Sequence, residues 1–189
     1  MGKTTVNTAL NGISGRVDQW VYRQVKDQTV VARRPVPSER DPSPRQLARR
    51  ERFDQARLYA KTVLADPNRR RVYEALAAQC NRRADRILMA DYLTPPAIEL
   101  IDVSAYRGQP GDVIQILATD DIEVVAVKVT IRRASGEVVE QGITTKEHGL
   151  WRYPATAPVA AGENVTVLAT ARDRPGNETT AESSVQTGP

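Results

Sequence analysis

The pattern of this chain predicts an α+β protein: an N-terminal β-hairpin plus two or three α-helices, followed by a C-terminal seven-stranded antiparallel β-sandwich. Three observations carry that expectation. Apolar residues recur at three- and four-residue spacing between residues 43 and 92, and at two-residue spacing beyond residue 97. The two regimes meet at Thr94-Pro95-Pro96, where paired prolines exclude a continuing helix. The charge changes there as well: residues 1–94 hold 19 Lys and Arg against 10 Asp and Glu, and residues 95–189 hold 8 against 13. The net +4 of the 189-residue chain therefore conceals halves of +9 and −5. The expected organisation is a flexible arm over 1–15, a basic hairpin and helical module over 16–94, and the sandwich over 95–189.

The opening 15 residues are rich in Gly, Thr, Ser and Asn, with scattered Val6, Leu10 and Ile13, and cannot form a core of their own. Residues 16–34 switch to β-branched and aromatic types. Val17, Trp20, Val21, Tyr22 and Val25, then Val30 and Val31 after the polar Lys26-Asp27-Gln28, predict two strands and a short turn. A lone hairpin is marginal in water, so this one needs a surface to pack on. Ile13, Val17, Trp20, Val21 and Tyr22 are accordingly the candidate interface residues.

Pro35, Pro37, Pro42 and Pro44 predict an extended connector. A helix then starts at Ser43, with Pro44 in the first turn and Gln46 three residues after the serine, as a capping box requires. Leu47, Phe53, Ala56, Ala60, Val63 and Leu64 form its apolar stripe. Asp66-Pro67 repeats the start signal for a second helix with Val72, Tyr73, Leu76, Ala77 and Cys80 on its stripe, and Ile87, Leu88 and Tyr92 extend it or form a third. The spacing places Cys80, the sole cysteine, in the core as a packed thiol.

Beyond Pro96, seven alternating runs are separated by turn residues such as Gln109-Pro110-Gly111, Ser135-Gly136 and Arg174-Pro175-Gly176-Asn177. Strand candidates near 98–100, 113–117, 124–131, 138–143, 150–155, 165–171 and 178–185 argue for the sandwich, with Trp151 as its core anchor. Within residues 165–179, Ala171-Arg172-Asp173 leads through Arg174-Pro175 to Gly176-Asn177. That stretch resembles the end of a bacterial immunoglobulin-like or fibronectin type III-like domain, and the likeness implies an immunoglobulin-like sandwich acting as a spacer, adhesive module or surface decoration. The opening Gly12-Ile13-Ser14-Gly15-Arg16-Val17, continuing through Val21-Tyr22-Arg23-Gln24 to Val30-Val31-Ala32-Arg33-Arg34-Pro35, is similar to the start of uncharacterised bacterial and prophage-encoded proteins, a group that implies no activity.

No catalytic constellation is expected. His148 is the sole histidine and lies in a turn context, with no Ser, Cys and acidic set placed to make it a general base. One His and one Cys are too few for a transition-metal site; Asp120, Asp121 and Asp173 could offer oxygens to Ca²⁺, but turn and capping roles account for the same residues. No catalytic residue, metal, cofactor or small-molecule substrate is therefore expected, and no apolar run approaches the roughly 20 residues of a membrane span. With no secretory signal pattern, the chain is expected to be cytoplasmic at synthesis, with non-classical release or association with a particle open to it.

The arginines are the functional signal, with Arg49, Arg70 and Arg83 as representative electrostatic contacts along the helices. The pattern favours a non-enzymatic structural protein that self-assembles through its arm, hairpin and oppositely charged halves, as a homo-oligomer or polymer such as a filament or phage-like particle subunit. The alternative is a cytoplasmic nucleic-acid-binding protein gripping phosphate with its Arg-rich helices.

Overall fold

The computed structural model describes residues 13–25, 28–36 and 41–188. Residues 1–12 of the expected arm, the turn at Lys26 and Asp27, and Pro37 of the connector lie outside the described residues. The chain is mixed α+β, with three helices and three antiparallel sheets, and divides into two compact units, Met1–Arg45 and Gln46–Pro189.

The first unit holds β1 (Gly15–Val17), β2 (Trp20–Val25) and β3 (Gln28–Arg33) in a meander of order β1-β2-β3. The expected hairpin is β2 and β3; β1 is an addition. Its sequence, Gly15-Arg16-Val17, has no alternation to announce a strand, and it is folded back by the tight turn at Asp18, whose φ of 51° is left-handed. Arg34 N–H closes onto the Gln19 carbonyl at 2.6 Å. No side chain of this unit is buried among the described residues.

Three helices come next, α1 (Pro44–Ala65), α2 (Pro67–Cys80) and α3 (Ala84–Leu93); α1 and α2 each open on a proline, whereas α3 follows Arg83 without a side-chain cap. Asp66 caps α2, accepting from the Asn68 and Arg69 amides at 2.9 and 3.5 Å. Asn81 ends it in the left-handed conformation, its N–H reaching back to the Ala77 and Ala78 carbonyls. Ala60, Val63, Tyr73, Ala77, Ile87 and Leu88 form the helical core. The thiol departs from expectation: Cys80, the last residue of α2, is exposed, and the buried stripe of that helix ends at Ala77. The stripe of α1 is likewise buried only from Ala56 onward, leaving Leu47 and Phe53 exposed.

Eight strands follow: β4 (Ala97–Asp102), β5 (Val113–Thr119), β6 (Val124–Arg133), β7 (Val138–Ile143), β8 (Thr145–Glu147), β9 (Leu150–Pro154), β10 (Asn164–Asp173) and β11 (Glu178–Gln186). They form two four-stranded sheets, ordered β11-β10-β6-β7 and β4-β5-β9-β8. Alternate residues of both sheets, including Ile114, Ile116, Val129, Ile131, Val167 and Trp151, meet in one core, giving a two-layered sandwich. The strand beyond the expected seven is β8, whose three exposed polar residues carry no apolar signal. It is held by the two-residue turn His148-Gly149, where both φ angles are positive, at 49° and 85°, as a tight hairpin requires. A bulge where β6 meets the end of β10 turns Val125 outward and breaks the alternation expected there.

Helices and sandwich are joined by satisfied backbone ends. A helix leaves its last carbonyls without intrahelical partners. At the end of α3, the Asn177 side-chain amide donates to the Asp91 and Tyr92 carbonyls at 3.4 and 3.2 Å, and Arg52 donates to the Leu93 carbonyl at 3.1 Å. Asn177 is itself fixed by Asp173, which accepts from its side chain at 2.7 Å and from the Gly176 and Asn177 amides at 2.8 and 2.6 Å. Ile122, on the loop between β5 and β6, packs into the helical core from the sandwich side.

Asn177→Ala leaves two half-buried carbonyls unpaired and is expected to cost about 1–3 kcal/mol. Urea unfolding followed by both tryptophan fluorescence and far-UV circular dichroism checks it; Thr180→Ala, on the exposed strand face, should stay within about 0.5 kcal/mol of the parent.

Candidate functional site

The residues expected at an interface lie together in the N-terminal sheet, but on two faces. Side chains alternate across a strand, and the register pairs Val17 with Trp20 and Tyr22 with Val31, so Val17, Trp20, Tyr22 and Val31 share one face. Val21, paired with Arg16 and Ala32, lies on the other. Val17 is 57% exposed, Trp20 42% and Ile13 37%, while Val21 and Tyr22 are half-buried. Polar contacts brace the sheet: Gln24 donates to Thr29 Oγ1 at 2.7 Å and to the Ile13 carbonyl at 3.3 Å, and Arg33 donates to Gln19 Oε1 at 3.2 Å. Among the described residues, edge strands β1 and β3 each have a strand neighbour on one side only.

The three representative arginines differ. Arg70 pairs with Glu74 at 2.6 Å one helical turn away. Arg83 grips Asp85 through two hydrogen bonds of 3.0 and 2.9 Å, which hold the Asp85 carboxyl below the usual carboxylate range. Arg49 is exposed and meets no carboxylate among the described residues. Exposed pairs are worth at most about 1 kcal/mol, so Arg70 and Arg83 remain exchangeable with an incoming acid.

Sequence reasoning missed a buried carboxylate on α3. Asp91 is 1% exposed, with Tyr73 donating to its Oδ2 at 2.6 Å and its Oδ1 unpartnered among the described residues. Burial pushes its pKa up to about 6; the Tyr73 hydrogen bond opposes this, and the nearby Asp120 and Asp173 carboxylates add to it. Burial, followed by the hydrogen bond to Asp91, in turn raises the Tyr73 phenol. The two aspartates weighed for calcium and placed here have turn roles: Asp173 caps the β10–β11 turn, and Asp120 accepts from the Ile122 and Glu123 amides at 3.2 and 2.9 Å. Among the described residues no group of three or more acidic, His or Cys side chains is arranged around a metal position. Only the Gly176-Asn177 turn hinted at this site in the sequence; its partner on α3 is 85 residues away.

Two cavities open between α2 and the sandwich. One, of about 600 Å³, is lined by Val72, Leu76, Ala118, Asp120, Lys146 and Arg174. The other, of about 370 Å³, is lined by Arg69, Tyr73, Val125, Arg172, Asp173 and Arg174, with Ala126 at its edge. Among the described residues, no helix is long and apolar enough to cross a membrane.

No protein-family model matches this chain, and no curated protein matches it in sequence. Among solved structures, CopC from Methylosinus trichosporium OB3b is similar at 12% identity and a TM-score of 0.38, covering 50% of this chain and 94% of that one.

Because Asp91 holds its proton more tightly in the folded state than in the unfolded chain, its contribution to stability is complete below the unfolded value near ~4 and is lost as pH rises through about 6. Asp91→Asn should therefore match the parent at pH 4 and exceed its stability at pH 7 by on the order of 2–3 kcal/mol, as read by urea titrations across that range.

Proposed function

We propose that this protein is a non-enzymatic structural subunit with an immunoglobulin-like sandwich, which associates with further copies of itself through its N-terminal sheet. The observation that carries the proposal is a three-stranded sheet without one buried side chain among its described residues, bearing Val17, Trp20 and Tyr22 on a single face. Such a sheet buries too little surface to persist uncovered. A partner's strand added to β1 or β3 would complete its ladder, and a partner's apolar surface would cover Trp20.

The acidic half offers the matching surface. Edge strand β11 is nine residues long and turns Glu178 and Glu182 outward, while Arg33 and Arg34 lie at the end of β3. A contact between the N-terminal sheet of one copy and β11 of the next joins unlike surfaces and need not close, so a filament is its natural product. The strand order β4-β5-β9-β8 against β11-β10-β6-β7 supports the immunoglobulin-like assignment, as it follows the two-sheet arrangement of those domains with one further strand. The non-enzymatic reading draws support from His148, whose backbone serves the β8–β9 turn and whose side chain is exposed.

Sedimentation velocity and negative-stain microscopy of the full chain test this. Polymers are expected, weakened by salt. Trp20→Ala combined with Val17→Lys should raise the concentration needed for assembly by at least about thirtyfold, as loss of an aromatic anchor of about 2 kcal/mol implies. A parent chain that stays monomeric at high concentration in low salt would refute the proposal.

A further inference from the structure

Three arginines that play no part in the assembly just described converge. Arg69 comes from the first turn of α2, Arg172 from the end of β10 and Arg174 from the turn after it, and all three line the cavity of about 370 Å³. Its other walls are Tyr73, Val125 and Ala126. The acids there are already engaged. Asp173 is 1% exposed and accepts three hydrogen bonds from Gly176 and Asn177, and Glu123 pairs with Arg174 at 2.5 Å. Arg69 lies over the Tyr59 ring at 5.8 Å and meets no carboxylate among the described residues. Arg172, directly across the β10–β11 ladder from Glu178, makes no hydrogen bond or ion pair among the described residues. Two guanidinium groups without an ion-pair partner among the described residues thus line one concave space together with a third, Arg174, that is already oriented.

We infer that this cavity is a binding site for a small molecule carrying a dianionic phosphate group. Arginine forks match the oxygens of a phosphate in pairs, and the three guanidinium groups outnumber the Asp173 and Glu123 carboxylates beside them, so the cavity favours an anion with several oxygens to share. A volume of about 370 Å³ exceeds a bare phosphate and lies at the low end of small-ligand pockets, which leaves room for a compact substituent against Val125 and Ala126. Arg174, held by Glu123, is oriented in advance, so little side-chain freedom is lost when the anion enters.

Calorimetric titration of the full chain in low salt, with pyrophosphate as the probe and acetate as the monoanion, tests the site. Saturable one-to-one binding of pyrophosphate is expected, with acetate much weaker and amide NMR shifts centred on Tyr73 and Ala126. Arg69→Gln with Arg172→Gln should weaken binding at least tenfold. Both residues are exposed, so the variant should keep the parent's unfolding midpoint; Arg83→Gln, at the start of α3 and outside the cavity lining, should leave binding unchanged. Absence of saturable binding up to about 10 mM, shifts centred elsewhere, or affinity that survives the double substitution would each overturn the inference. So would binding that grows with the length of an oligonucleotide and is indifferent to Arg69 and Arg172, which would assign the arginines' role to a polyanion on the open helix faces.

Discussion

The second unit depends on one small polar device, the Asp173–Asn177 turn closed onto the end of α3. A ten-residue helix has little core of its own, and its last carbonyls need partners. Asn177 supplies two hydrogen bonds, Arg52 a third, and Asp173 keeps the asparagine from turning away. Thr94, whose N–H bonds the Ala90 carbonyl, ends the helix in an extended conformation imposed by Pro95. The chain then enters β4 after a buried Pro96, so the passage from helix to sheet has little freedom. What reads as a seam of charge and periodicity is, in three dimensions, the place where helices and sandwich are fastened.

Fastening them this way concentrates charge. The Asp120 and Asp173 carboxylates lie close enough to raise the Asp91 pKa, and the Asp91 carboxyl has a single hydrogen bond among the described residues with which to offset its burial. The cost is carried by the position that α3 must occupy, not by any gain from the charge itself. On the outer side of the same junction, Arg69, Arg172 and Arg174 gather because α2 crosses the end of β10. Opposite charges are thus sorted into an inner acidic layer and an outer basic one within a few residues of each other along the chain, as Arg172-Asp173-Arg174 shows: alternate side chains of a strand point to opposite faces.

The N-terminal unit follows a different constraint. Its three strands satisfy one another's backbone groups but cover none of their apolar side chains completely. With no interior of its own among the described residues, the unit is held by backbone pairing and by polar contacts such as that of Gln24 with Thr29.

Much of this architecture was legible in the chain itself. Helix starts at Pro44 and Pro67, the two-residue alternation of the sandwich, the turns at Ser135-Gly136 and Gly176-Asn177, and the burial of Trp151 all follow from local chemistry: proline geometry, strand periodicity and left-handed turn positions are properties of a few adjacent residues. The short strands β1 and β8 escaped, because three residues with no apolar alternation pair only when a neighbour is already in place. Cys80 was misjudged for a related reason, since helical spacing says which way a side chain points and not whether anything lies there. The basic excess of the helices was determined by sequence; that Arg70 and Arg83 are paired while Arg69 and Arg172 face a shared cavity was decided only by tertiary structure. Position along the chain sets a residue's chemistry and its local backbone, but the dielectric around Asp91 and the partners of Asn177 depend on segments some 85 residues apart, and only folding brings them together.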